Sequence, residues 1–209
     1  MDEFGVAVTN AILALAASPW VYPAVFILTV LDAFLVVLPS ESVVAGFAAL
    51  SMSTGSPPLI TLAPIAALAA MTGDSLTYLV GRRVGTSRFA WMRRPTAVKA
   101  LGWARTSLDR RPASVLLTAR FIPFGRIAVN LSAGACGFRY RRFVALTAVG
   151  GALWAVYNTV LGAAFGAWLH NNPLLAVVLS TVIAVALGVA IDLVVSKVRA
   201  RLQATDEGG

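Results

Sequence analysis

Of 209 residues, 58% are hydrophobic and only 12% charged, with a mean hydropathy of +0.81, whereas a soluble domain has about a quarter of its residues charged. That composition is an integral membrane protein's, with room for one bundle of a few spans and none for a separate soluble domain of ordinary size. The formal charge of +8 reports orientation rather than nucleic-acid binding, because basic residues between spans are held in the cytoplasm. A single Cys136 and a single His170 argue against most disulfide and metal chemistry, and no cofactor is expected.

The chain begins with an uncharged tract, residues 4 to 31, that contains Pro19 and Pro23. Asp2 and Glu3 precede it where an ordinary signal peptide is basic, so residues 1–21 are expected to form an N-terminal apolar or amphipathic helix. Hydropathy alone also allows one plain span across 4 to 31. Residues 22 to 53 then place Asp32 and Glu41 around Pro39, and a Gly55-Ser56-Pro57-Pro58 turn leads to a span from about Ile60 to Gly81. Residues 82–112 are a basic cytoplasmic segment, with nine Lys or Arg from Arg82 to Arg111 against the single acid Asp109. Further basic clusters stand at Arg139, Arg141 and Arg142, and at Lys197, Arg199 and Arg201. Residues 143 to 169 carry no charge, and a turn from His170 to Pro173 joins them to a C-terminal span, 173–196, and a cytoplasmic tail, 197–209.

Positive clusters on both sides of residues 113 to 137 belong on one face of the membrane, so the segment between them must enter and return. Pro123, Gly125, Gly134 and Gly137 supply the breaks that such a re-entrant hairpin requires, and its tip must be covered by protein or a watery cavity. Residues 22–81 repeat the plan with opposite polarity, and 113–169 form the second repeat of hairpin plus span. The fold expected is an all-α integral membrane protein with two oppositely oriented re-entrant helical hairpins and about three full transmembrane helices, arranged as an inverted repeat around a midplane site.

Several motifs in this order resemble the DedA family of bacterial membrane proteins, also described as the SNARE-associated or VTT domain. Arg120-Phe121-Ile122-Pro123-Phe124-Gly125-Arg126 is similar to the family's R-F-x-P-x-x-R signature, followed by Ala133 and Gly134. Gly73-Asp74 with Tyr78, Gly81, Arg82 and Gly85 is similar to its G-D-x-x-x-Y-x-x-G-R segment, and Leu38-Pro39-Ser40-Glu41 to its proline-and-acid hairpin, with Asp32 earlier where an acid is expected. The resemblance implies a multi-pass protein of the bacterial inner (plasma) membrane with two facing hairpins. It also implies a role in lipid movement linked to the proton motive force, including return of undecaprenyl phosphate or translocation of phospholipids.

The residues support a chemistry of their own. An Arg at membrane depth costs roughly 3 kcal/mol on insertion scales, so Arg120 and Arg126 require a reason to be there. A guanidinium matches phosphate oxygens bidentately, which makes both candidate headgroup ligands; pairing with Asp32 and Glu41 to hold the hairpins together is the alternative. Burial disfavours an ionised carboxyl and nearby arginines favour it, which makes Asp32 and Glu41 candidates for proton coupling as well as for structure. Asp74, Tyr78, Pro39, Pro123, Gly125 and Asn130 are supporting candidates, Tyr78 lying on the face of Asp74. Trp154, Tyr157 and Asn158 are equally at home as ordinary span residues, and Arg82 and Arg83 as interfacial anchors. A flippase for a phosphate-headgroup lipid is the leading expectation, with a passive scramblase or a small-ion or proton-coupled transporter as alternatives. No nucleophile with an acid-base set or acidic metal cluster stands out for an enzyme. Expected partners are the lipid, protons and an anionic lipid surface, with self-association left open.

Overall fold

A computed structural model describes residues 3–35, 40–86, 95–120 and 125–168. Among them every regular element is an α-helix. Pro39, Pro123, His170, the C-terminal span 173–196 and the tail 197–209 lie outside the described residues.

The first apolar tract is not one straight helix. α1 (Glu3–Ala17) stops at Ser18 and Pro19, and α2 (Val21–Asp32) departs at 104° to the end of α1. Pro19 lacks the amide that would continue the ladder. α3 (Ser40–Thr54) follows, ending at Gly55, whose φ of 78° turns the chain away. α4 (Leu59–Val84) starts after Pro58 and is closed by Gly85 at φ 68°, with Arg82 and Arg83 in its last turn facing the negative end of the helix dipole.

The second half of the basic segment is helical. It contains α5 (Pro95–Arg110), which packs against α6 (Pro112–Ala119) and α7 (Gly125–Ala135) and buries Leu108. Pro112 opens α6 at a position where a missing N–H costs nothing. At the end of α7, the Phe138 amide donates to the Ala133 carbonyl and Gly137 takes a φ of 74°, a Schellman-type stop that aims the chain into α8 (Tyr140–Trp168).

α4 and α8, 26 and 29 residues long, are apolar and long enough to cross a bilayer, which needs about 20 residues. On α8, Val149, Leu153, Val156 and Val160 form an exposed stripe at helical spacing, as a lipid-facing surface requires. The opposite faces bury two clusters. One joins Val21 and Val25 of α2, Val44 and Ala48 of α3, Leu62 and Ala66 of α4 and Trp154 of α8; the other joins Tyr78, Leu108, Leu116, Ala133 and Phe143.

The halves interlock, with α3 lying on α8 and α4 on α7. Both crossings depend on small residues. A Cβ at Gly134 would collide with the Tyr78 carbonyl of α4, and one at Gly162 with the Ala45 carbonyl of α3. Such close backbone approach is how helices associate in lipid, where hydrophobic burial supplies little attraction.

Candidate functional site: a buried charge constellation

The close approach of α2 to α4 positions the first acids. A Cβ at Gly73 would fall 2.6 Å from the Ala33 Cβ, so only glycine lets the end of α2 lie here, and the Thr77 hydroxyl shares its proton between the Gly73 carbonyl of its own helix at 2.9 Å and the Ala33 carbonyl at 3.2 Å. Asp32, at the end of α2, is thereby brought beside Asp74 on α4. The two arginines arrive from the other half: Arg120 stands immediately beyond α6 and Arg126 in the first turn of α7.

Arg120 Nη1 donates to Asp74 Oδ2 at 2.6 Å, with the side chains 4% and 1% exposed. Asn130, one turn beyond Arg126 on α7, donates through Nδ2 to Asp74 Oδ1 at 2.9 Å. Arg126 bridges both acids: its Nη2 lies 2.8 Å from Asp32 Oδ2 and its Nε 3.8 Å from Asp74 Oδ1. The Ser40 hydroxyl completes the Asp32 end at 2.9 Å. Charge-assisted bonds of this kind are what make a buried ion network tolerable in a low-dielectric interior.

Two features stand apart from this balanced set. Arg120 is incompletely used, because its Nε and Nη2 are buried with no hydrogen-bond partner among the described residues. These atoms form one edge of the guanidinium fork. The Arg120 Cζ also sits 5.6 Å from the centre of the Trp154 ring, a cation–π contact worth about 0.5–2 kcal/mol. Glu41, in the first turn of α3, forms no ion pair among the described residues; its Oε1 accepts a 3.3 Å hydrogen bond from Trp154 Nε1. Trp154 thus touches both the underused cation and the unpaired acid.

Arg120, Arg126, Asp32, Asp74 and Asn130 meet in one place. The pairing differs from the simplest expectation, since Asp74 rather than Glu41 holds Arg120. Tyr78 shares a helix with Asp74 but turns to the α7–α8 junction, where its hydroxyl donates to the Phe138 carbonyl and its ring packs on Tyr140 and Phe143. Gly125 begins α7. Sequence reasoning left Trp154 undecided and gave no role to the Ser40 hydroxyl. The only available signal for Ser40 was its place beside Glu41, and Trp154 had none, because tryptophan is common in any span. Among the described residues no group of His, Cys, Asp and Glu could hold a metal ion.

An apolar helical bundle with two helices long enough to span, joined by a buried ion network, defines an integral membrane protein. The VTT domain family matches residues 38–164, a range that includes Glu41, Asp74, both arginines, Asn130 and Trp154 and begins after Asp32. The chain belongs to this family, that of the DedA proteins. It is 32% identical over 173 residues to an uncharacterized membrane protein of Mycobacterium tuberculosis, covering 78% of this chain and 73% of the relative. It is 30% identical over 181 residues to another from Mycobacterium bovis, covering 80% and 81%. Protein DedA of Escherichia coli is 29% identical over 153 residues, covering 70% and 69%. No solved structure matches the chain.

Proposed function

We propose that this protein moves an anionic lipid with a phosphate headgroup, such as undecaprenyl phosphate or a phospholipid, between membrane leaflets, and that protons drive the movement. The observation that carries this reading is the Nε/Nη2 edge of Arg120, a buried pair of parallel donors with no acceptor among the described residues while Nη1 is fixed by Asp74. Such an edge fits two phosphate oxygens. Arg126 adds a second cation at the start of α7, the helix end whose dipole favours anions.

In this reading α2 with α3, and α6 with α7, are two re-entrant hairpins dipping from opposite faces, with α4 and α8 as the following spans of an inverted repeat. The reciprocal packing of α3 on α8 and of α4 on α7 supports that arrangement, as does its fit to the positive clusters. The C-terminus is then cytoplasmic. Asp32 and Glu41 exchange protons: neutralising Asp32 would free Arg126 for the headgroup, and re-ionisation would expel it. Inward passage of an anion works against an inside-negative potential by roughly 2.3 kcal/mol per charge per 100 mV, which co-moving protons cancel.

The deciding experiment reconstitutes the full chain in vesicles and measures headgroup exposure between leaflets. Movement that requires Arg120 and responds to an imposed proton gradient is expected. Headgroup distribution identical to protein-free vesicles would overturn the reading.

A further inference from the structure

Away from the buried constellation, a cavity of about 360 Å³ lies between α5 and the α7–α8 junction. Arg105 and Asp109 reach it from α5, Arg139 from the residue just before α8, and Arg142 from the first turn of α8. Leu108, fully buried, and Phe138, half-buried, contribute apolar lining. The volume falls within the range of about 300–1,000 Å³ typical of small-ligand sites.

The charges in this cavity are not spent on one another. None of Arg105, Arg139, Arg142 or Asp109 forms an ion pair among the described residues, although three guanidiniums and one carboxylate share the same walls, leaving a net +2 (3 − 1). The first turn of the 29-residue α8 lies at the same place, and its dipole adds positive potential. All four charged side chains are exposed, as on any solvated basic surface; what such a surface lacks is the concavity and the apolar wall that Phe138 gives it. The opening is also tied to the ion network. Tyr78, one turn after Asp74 on α4, donates to the carbonyl of Phe138 in the cavity wall.

We propose that this cavity is a second anion site, taking a phosphate group borne by a lipid headgroup or by a free phosphorylated small molecule. The guanidiniums bind the phosphate oxygens, and Asp109 accepts from a hydroxyl of the ligand or from a phosphate proton. Phe138 packs against its apolar part, backed by the buried Leu108. The site uses neither Arg120 nor Arg126 and stands independently of the transport reading.

Cys136, the sole cysteine of the chain, also lines the cavity and reports on it. The full-length protein in neutral detergent would be treated with two methanethiosulfonate reagents of similar size, one sulfonate and one trimethylammonium, each rate normalised to free mercaptoethanol. A several-fold preference for the sulfonate is expected, abolished in Arg139→Gln/Arg142→Gln. Labelling is then repeated with inorganic phosphate at constant ionic strength, and in phosphatidylcholine nanodiscs with and without phosphatidic acid. Protection by inorganic phosphate identifies a free phosphorylated ligand as sufficient, and protection by phosphatidic acid alone identifies a headgroup. Either should weaken about tenfold in the double Gln variant, the cost of losing charge-assisted bonds. Arg139→Lys/Arg142→Lys keeps the charge without the fork and should fall between. A Cys136 that reacts with neither reagent would mean a cavity closed to ligands and would overturn the proposal. So would absence of protection in both arms, protection matched by chloride, or protection undiminished in the double Gln variant.

Discussion

Arg120 and Asp74 are joined by a 2.6 Å ion pair in which the guanidinium is 4% and the carboxylate 1% exposed. The partners come from different halves of the chain, so the bond holds α4 to the segment beyond α6. Bringing two charges out of water costs several kcal/mol each, and only a well-connected network offsets that cost. Asp74 is well connected, with Asn130 on its second oxygen and Arg126 3.8 Å away, whereas the Nε/Nη2 edge of Arg120 has no partner among the described residues.

Removing the anion should therefore be structurally severe. Asp74→Asn leaves Arg120 buried without its counter-ion, and a loss of about 3–5 kcal/mol is expected, read as a lower melting temperature in detergent. Asp74→Asn combined with Arg120→Gln should recover part of it, because no unpaired charge is left. Equal melting of Asp74→Asn and the unaltered protein would show that the pair contributes nothing to stability.

Substituting the cation conservatively should separate stability from function. Arg120→Lys retains a charge for Asp74 but lacks the planar fork, so the protein should stay folded in the membrane while lipid movement falls at least about tenfold, the equivalent of one lost charge-assisted bond. Arg126→Lys should behave similarly, since Arg126 reaches two acids through different nitrogens. Full transport by the double Lys variant would count against bidentate phosphate recognition.

The charged centre is legible in the sequence because the bilayer makes each such residue expensive. Asp32, Asp74, Arg120 and Arg126 all come together. Their pairing is not legible, since it depends on how helices far apart in sequence lie against one another, and Asp74 takes a place equally open to Glu41. Residues 60 to 81 and 143 to 168 read directly as the cores of α4 and α8, because an apolar stretch of that length, interrupted by a single charge at Asp74 in the first and by none in the second, has few alternatives. α5 is hidden, because its charges mask a pattern whose buried side chains, among those described, are Ala104 and Leu108. Trp154 is hidden for the opposite reason: nothing in its apolar surroundings indicates that Glu41 and Arg120 meet it.

The α4–α7 crossing gives a test of packing that is independent of charge. A methyl group at Gly134 would meet the Tyr78 carbonyl and the Arg82 amide, both backbone atoms that cannot swing aside. Gly134→Ala is expected to cost about 1–3 kcal/mol, the usual range for overpacking. Gly102 in α5 has open space where its Cβ would be, and Gly102→Ala should be neutral or stabilising by up to about 1 kcal/mol through helix propensity. Melting temperatures of the two variants should diverge in that direction; equal shifts would mean the helices do not approach so closely.

Topology can be read by labelling in a Cys136→Ala background. Single cysteines at Thr106 and Tyr140, both exposed and on either side of α6 and α7, should react only with reagent on the cytoplasmic face. One at Ser56, between α3 and α4, should react from outside. If Thr106 and Tyr140 label from opposite faces, residues 113 to 137 cross the membrane and the re-entrant arrangement is lost.

Proton coupling rests on a difference between Asp32 and Glu41. Asp32 is held by Arg126 at 2.8 Å and Ser40 at 2.9 Å, so protonating it breaks an ion pair. Glu41 has Trp154 for a donor and no cation among the described residues, so its protonation sacrifices no ion pair. Glu41→Gln preserves an acceptor for the indole and should melt close to the unaltered protein, yet transport in vesicles should lose its dependence on an imposed pH gradient and continue passively. Asp32→Asn should also uncouple transport, but at a cost in stability, because Arg126 is left with only the 3.8 Å contact to Asp74. The measurement compares initial rates of headgroup movement with the gradient present, reversed, and collapsed together with the membrane potential. Equal rates for the unaltered protein under all three conditions would remove the coupling and leave a passive scramblase as the mechanism.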